Sequence, residues 1–294
     1  MRTYLDCYPC FMRQALDALG RITEDEEEQL RILQGVTEEI ASFDPTSTPP
    51  EMAQRIHRIL RRETGLDDPY REAKEESTRH ALALYPELKR IVEESDDPLE
   101  TAIRVSVAGN IIDLGATAEY DLEGGIERAL KQDFAVHDIG QFRARLAETE
   151  RLLFLGDNAG ETVFDRVLIE TLGRPVDYAV RGAPVINDAT REDAAAAGLD
   201  RVAHVIDNGS DAPGTLLPFC SEEFRTVFHE AGLILAKGQG NYESLSEEPA
   251  PLFYLLQTKC PVIARDLGVP VQSLVFKRNG AGDAERSASN HPVA

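Results

Sequence analysis

Three short stretches hold most of the side chains in this sequence that could do chemistry: "GDNAGE" (156–161), "INDAT" (186–190) and "KGQGNYE" (237–243). They supply Asp157, Asn158 and Glu161, then Asn187 and Asp188, then Lys237 and Asn241. A fourth stretch, "DNGSDAPG" (207–214), has the same character. Carboxylate and amide oxygens suit a hard divalent cation such as Mg²⁺ or Mn²⁺, which keeps open positions for water or phosphate. Glycine-exposed N–H groups, helix N-termini and a lysine suit an anion. Each loop taken singly also fits a structural role, because Asp or Asn before a helix caps it and Gly serves tight turns. Four such loops at four successive strand ends point instead to one ligand-binding rim. With few His or Cys nearby, a dedicated zinc site is disfavoured. No Walker A loop, H-E-x-x-H or G-x-S-x-G motif occurs, and "GDNAGE" does not match the dinucleotide fingerprint.

Each of these loops follows a short apolar run, and the runs must be the strands that position them. "RLLFLG" (151–156), "VDYAV" (176–180), "RVAHVI" (201–206), "LILAKG" (233–238) and "VQSLVF" (271–276) read as strands, and "PLFYLLQ" (251–257) reads so less clearly. Helical stretches lie between them, which predicts an α/β fold with a mostly parallel, Rossmann-like sheet covered on both faces. In such sheets ligands bind outside the carboxyl ends of the strands, where the polar loops fall. Residues 1–120 read as a helical N-terminal region, residues 121–278 as the α/β metal- and phosphate-binding domain, and 279–294 as a disordered tail. Pro86 is expected to interrupt and restart a helix, and the helix 98–115 to break near Gly109–Asn110 or Gly115.

Composition narrows the function. The 294 residues carry 52 Asp+Glu against 31 Lys+Arg, a net charge of −21, and no local basic patch offsets it. A field of that sign repels phosphate backbones, so a nucleic-acid partner is not expected. No apolar run approaches ~18 residues, so no membrane span is expected. Without a secretory signal in the sequence, the cytoplasm is the expected location. Four cysteines, two of them in "CYPC" (7–10), do not form a secreted disulfide framework. The C-x-x-C sits in helix-like sequence, with no nearby partners for a metal and no preceding strand for a thioredoxin-like role. His137, His204 and His229 read as structural.

In chain order, "CYPCFMRQAL" (7–16), "DDPYREAK" (67–74), "AGNIIDLG" (108–115), "DNAGE", "INDAT" and "KGQGNYE" resemble the metal-dependent damage-control phosphatases. This ARMT-like family was formerly a domain of unknown function, and the resemblance is to its prokaryotic branch with an N-terminal C-x-x-C. It implies a three-layer α/β/α sandwich preceded by a helical N-terminal region, with a divalent cation (Mg²⁺, Mn²⁺, Co²⁺ or Ni²⁺) at the strand ends. By motif position it implies Asp157, Asn158 and Asp188 as metal ligands and Lys237 on the phosphate, these four forming the catalytic set. Asn241 and Asn187 are its companion polar groups, Glu161 matches the family glutamate, and Asn110 and Asp113 would roof the pocket. Gln272 departs from the glycine expected in this branch. The implied activity is hydrolysis of a small phosphomonoester metabolite, with direct water attack favoured because a metal-bound aspartate is a poor nucleophile. Two other readings are a metal- or phosphate-binding protein without turnover and an adenosyl-dependent methyltransferase. The second is disfavoured because the strand "VDYAV" ends in Arg181–Gly182 rather than in an acid.

Overall fold

The structure, a computed structural model, describes residues 1–111, 126 and 130–280, with the side chains of 110 and 111 excepted. Among the described residues, five helices come first: α1 (Cys7–Ile22), α2 (Glu26–Ser42), α3 (Pro49–Thr64), α4 (Arg71–Glu93) and α5 (Pro98–Ile111). Alternation follows: β1 (Phe134–His137), α6 (Ile139–Glu148), β2 (Leu152–Leu155), α7 (Thr162–Leu172), β3 (Val176–Val180), α8 (Arg191–Ala196) and β4 (His204–Asp207). The chain continues through α9 (Glu222–Glu230), β5 (Ile234–Lys237), α10 (Gly238–Leu245), β6 (Leu252–Gln257), α11 (Pro261–Leu267) and β7 (Leu274–Arg278).

The helices start and stop where side chains can satisfy their free backbone groups. Asp25 accepts from the N–H groups of Glu27 and Glu28 to open α2. Thr48 and Glu51 form a capping box at α3, whose first turn carries Pro49 and Pro50, and Gly65 closes it in the left-handed conformation at φ 70°. Contrary to the sequence expectation, α4 runs unbroken through Pro86. The carbonyl that Pro86 frees belongs to Leu82, an exposed residue, so water can satisfy it.

The seven strands lie in the order β1-β7-β6-β5-β2-β3-β4. From β6 through β4 they are parallel; β7 is antiparallel to β6, and β1 runs parallel to β7. The run 251–257 is thus a strand, fully inside the sheet. The chain moves outward from β2 in both directions, to β3 on one side and β5 on the other, which makes the β2/β5 boundary the topological switch point.

Alternate strand residues face opposite layers. Leu152, Phe154, Tyr178, Leu235, Phe253 and Phe276 pack against α4, α5 and α7. Leu153, Leu155, Ala179, Ile234, Ala236 and Tyr254 pack against α1, α3, α9 and α10. The N-terminal helices therefore clad both faces of the sheet and complete the α/β/α sandwich. Cys7 (buried) and Cys10 (exposed) are free thiols one turn apart in α1, whose start is tied to α11 by Asp6–Arg265 at 3.2 Å. His137 stacks on Phe134, His204 pairs with Asp177 and His229 abuts Phe228. Among the described residues no helix is long and apolar enough to cross a membrane. The expected domain boundary near residue 120, Asp113 and residues 281–294 lie outside the described residues.

Candidate active site at the strand ends

At the end of β2 the chain passes through Gly156, where a Cβ would stand 2.6 Å from the Tyr178 hydroxyl. The next residues meet the loop that follows β3. Asn158 and Asp188 form an antiparallel bridge. Ala189 N–H donates to the Asp157 carbonyl at 2.8 Å, and Ala159 N–H to the Asn187 carbonyl at 2.9 Å. This zipper brings Asp157, Asn158 and Asp188 to one point of the rim. Asn187 takes part through its backbone, and its side chain is exposed. Ile186, two residues before Asp188, holds φ at 47°, a left-handed conformation that a β-branched residue rarely adopts.

Asp157 faces β5 across the switch point. A Cβ on Gly238 would collide with its carboxylate, and Gly238 itself sits at φ 77° as the first residue of α10. Burial pushes the Asp157 carboxyl well above its usual range, and the neighbouring charges of Glu161 and Asp188 push it further. Asp188 is also raised by burial, although Arg181 works against this. Arg181, buried at the end of β3, donates from Nε to Asp188 Oδ2 at 2.7 Å and from a terminal nitrogen to the Gly156 carbonyl at 3.2 Å.

Lys237 enters this cluster from below. It follows Leu235 onto the face covered by α5 and α7, and its ammonium is fully buried. Nζ donates to Asp165 Oδ1 at 2.7 Å, the Ser106 carbonyl at 3.0 Å and Glu161 Oε2 at 3.2 Å. All three of its protons are thus engaged by the protein. Burial lowers the Lys237 pKa, but Asp165 and Glu161 outweigh it and hold the lysine charged. Asp165 also accepts from the Ser106 hydroxyl at 2.7 Å and the Tyr178 hydroxyl at 2.8 Å. Asn241 is likewise fully buried; its amide donates to the carbonyls of Gly156 (3.0 Å) and Lys237 (2.8 Å) and accepts from Thr215 (2.7 Å). It ties the β2 end to the β5 end and has no free donor left for a ligand. Above Glu161 passes α5, where a Cβ on Gly109 would lie 3.3 Å from Glu161 Cγ. Asn110 is on the last turn of that helix.

The model of the damage-control phosphatase ARMT1-like domain matches residues 3–275. The chain belongs to that family. Similar proteins include an uncharacterized protein of Methanocaldococcus jannaschii, 37% identical over 93% of this chain and 94% of the relative. A damage-control phosphatase of Archaeoglobus fulgidus is 35% identical over 92% of this chain and 97% of the relative. One of Pyrococcus horikoshii is 33% identical over 95% and 99%. The crystal structure of a DUF89 family protein from Pyrococcus horikoshii superposes with a TM-score of 0.90 at 33% identity, covering 95% of this chain and 100% of that one.

In this ARMT1-like chain the chemistry of the donor set fits a divalent cation. Among the described residues, four carboxylates (Asp157, Glu161, Asp165, Asp188) share the cluster with two buried cations, Lys237 and Arg181, so carboxylates outnumber the buried cations. Charge buried without a partner is costly. Among the described residues no three His, Cys, Asp or Glu side chains alone make a metal-ligand group. A cation here would therefore be held by the two aspartates Asp157 and Asp188 together with the amide oxygen of Asn158.

Sequence reasoning missed Asp165, Tyr178, Ser106 and Lys259. Asp165 was discoverable: it stands one turn beyond Glu161, inside the apolar face of Val163, Phe164, Val167 and Leu168. Lys259 follows β6, is exposed, and lies close enough to Asp157 to lower its pKa. Its N–H donates to the Gln239 side chain at 2.6 Å, which anchors it beside α10.

Proposed function

We propose that this protein is a divalent-metal-dependent phosphatase acting on a small phosphomonoester metabolite. The observation that carries the reading is the excess of carboxylates over buried cations among the described residues at the β2/β5 switch point, facing the N-terminus of α10. The relatives named damage-control phosphatases support the reaction class.

Asp157, Asn158 and Asp188 would hold the cation, which supplies Lewis-acid polarisation of the phosphoryl group and acidifies water. Arg181 opposes the rise that burial imposes on Asp188 and fixes its carboxyl by a hydrogen bond. The N-terminus of α10, opened by Gly238, presents backbone N–H groups to an anion. Lys259 is the cation placed to meet the phosphate from the open side of the rim, while Lys237 serves from beneath as the hydrogen-bond donor that fixes Glu161 and Asp165. With both aspartates committed to the cation, an attacking water is favoured over an aspartyl-phosphate.

The test is hydrolysis of an aryl phosphate by chelator-stripped protein, with Mg²⁺, Mn²⁺, Co²⁺ and Ni²⁺ added back separately. Turnover that requires a cation and disappears in Asp157→Ala supports the reading. Wild-type turnover in the presence of chelator, or undiminished turnover in Asp157→Ala, removes it.

A further inference from the structure

The side chain of Asn158 has two ends, and only its oxygen can ligate a hard cation. Which end faces the cation is decided by Glu161. Asn158 Nδ2 lies 2.7 Å from Glu161 Oε1, whereas its contact with Asp157 Oδ2 is long at 3.4 Å. Glu161 accepts on both of its oxygens, from Asn158 and from Lys237, so it selects the NH₂ end of the amide and turns Oδ1 the other way. The second oxygen of Glu161 is held by the Lys237 ammonium at 3.2 Å. Lys237 is in turn fixed by Asp165 at 2.7 Å, and Asp165 by the Tyr178 and Ser106 hydroxyls at 2.8 and 2.7 Å. The chain of bonds runs Tyr178 to Asp165 to Lys237 to Glu161 to Asn158, with donors and acceptors alternating along it. Lys237 can only donate, so any reversal at residue 161 falls on its link to Asn158.

We infer that Glu161 is a positioning residue, fixed by Lys237, Asp165 and Tyr178, that sets the polarity of the Asn158 amide and thereby the affinity of the site for a divalent cation. This rests on the metal reading above. Groups that orient metal ligands typically change affinity by about 10–100-fold when altered.

A charge swap isolates the effect. In Glu161→Gln the new amide turns its own oxygen to the Lys237 ammonium and its NH₂ to Asn158. Asn158 must then rotate and offer its NH₂ to the cation. Adding Asn158→Asp keeps the net charge of the pair, accepts the reversed hydrogen bond and restores an oxygen donor whichever way the group turns.

The experiment is Mn²⁺ binding to chelator-stripped protein, followed by the electron paramagnetic resonance signal of free Mn²⁺, with circular dichroism confirming the fold of each variant. Glu161→Gln is expected to raise the Kd for Mn²⁺ at least about tenfold, and the Asn158→Asp/Glu161→Gln double variant to return within about threefold of wild type. Tyr178→Phe, which removes only the far end of the chain, should weaken binding in the same direction by less. Wild-type affinity in Glu161→Gln, or a double variant no better than the single, overturns the inference while leaving the metal reading intact. A wild-type protein that binds no Mn²⁺ overturns both.

Discussion

The carboxylate of Asp157 stands where a side chain on Gly238 would have to go. The two residues come from the ends of adjacent strands β2 and β5, so the site is shaped by the absence of one atom as much as by the groups present. Gly238→Ala must displace Asp157 and must also hold a left-handed φ of 77°. Metal-dependent turnover should fall to background, with a stability loss of about 1–2 kcal/mol from the backbone alone. Denaturant unfolding and the phosphatase assay measure the two effects separately.

On the proposed metal reading, Asp157 trades stability for function. Its carboxyl binds a proton more tightly in the folded protein than in the unfolded chain, whose aspartates titrate near 3.9. The cation-free protein is therefore expected to lose stability as pH rises from about 4 through the higher folded pKa. Asp157→Asn should melt at a higher temperature than wild type at neutral pH in chelator. Added Mn²⁺ should raise the wild-type melting temperature and leave the variant nearly unchanged. A variant that melts lower than wild type in chelator would contradict the charge argument.

Asp211 behaves in the opposite way. It lies in the loop after β4 and accepts from Gln54 at 2.6 Å, from Arg58 at 2.6 and 2.9 Å, and from Arg61, all on α3. Burial raises its pKa, but these partners prevail and hold it at about 2. Its contribution is present above the unfolded value near 3.9 and is lost as pH falls toward 2. Allowing for solvent screening at Arg58, Asp211→Asn should cost about 1–2 kcal/mol at pH 7. Urea unfolding at pH 7 and at about pH 3 should show that difference shrinking on acidification.

Gln272 sits at φ 68° in the turn before β7, where the branch pattern called for glycine. Gln272→Gly removes left-handed strain of roughly 1 kcal/mol, partly offset by the greater freedom of glycine in the unfolded chain. A small rise in melting temperature with unchanged kcat/KM is expected. A fall in either would show that the Gln272 side chain is needed.

Much of this arrangement could be read before the fold was known, because parallel strands force it. Asp157 and Asn158 end one apolar run and Asp188 follows the next, and adjacent strands β2 and β3 then bring the three together. The direction of Lys237 could not be read. Every residue of β5 is buried, so "ILAK" shows no alternation to say which layer the lysine enters. Its partner Asp165 was hidden by the apolar residues around it on α7. Asn241 looked like a ligand group because its type and motif position suit one, yet its bonds are all to the protein. Strand β1 escaped notice because "FAVH" is four residues long and only partly buried. Nor could the helical patterns of residues 1–111 show which face of the sheet each helix would cover.

That division of the helices between the two faces has a kinetic side. The apolar surfaces of α1, α2 and α3 are matched in part by one another, while the rest of that cluster comes from residues 153–275, and α4 and α5 pack on α7 across the other face of the sheet. The sheet-facing part of these helical surfaces is therefore made before the elements that cover it. It must wait for the strands that come last. The lag lengthens as translation slows. In refolding from denaturant, protection of α1 amides from hydrogen exchange should rise together with that of β5 rather than ahead of it.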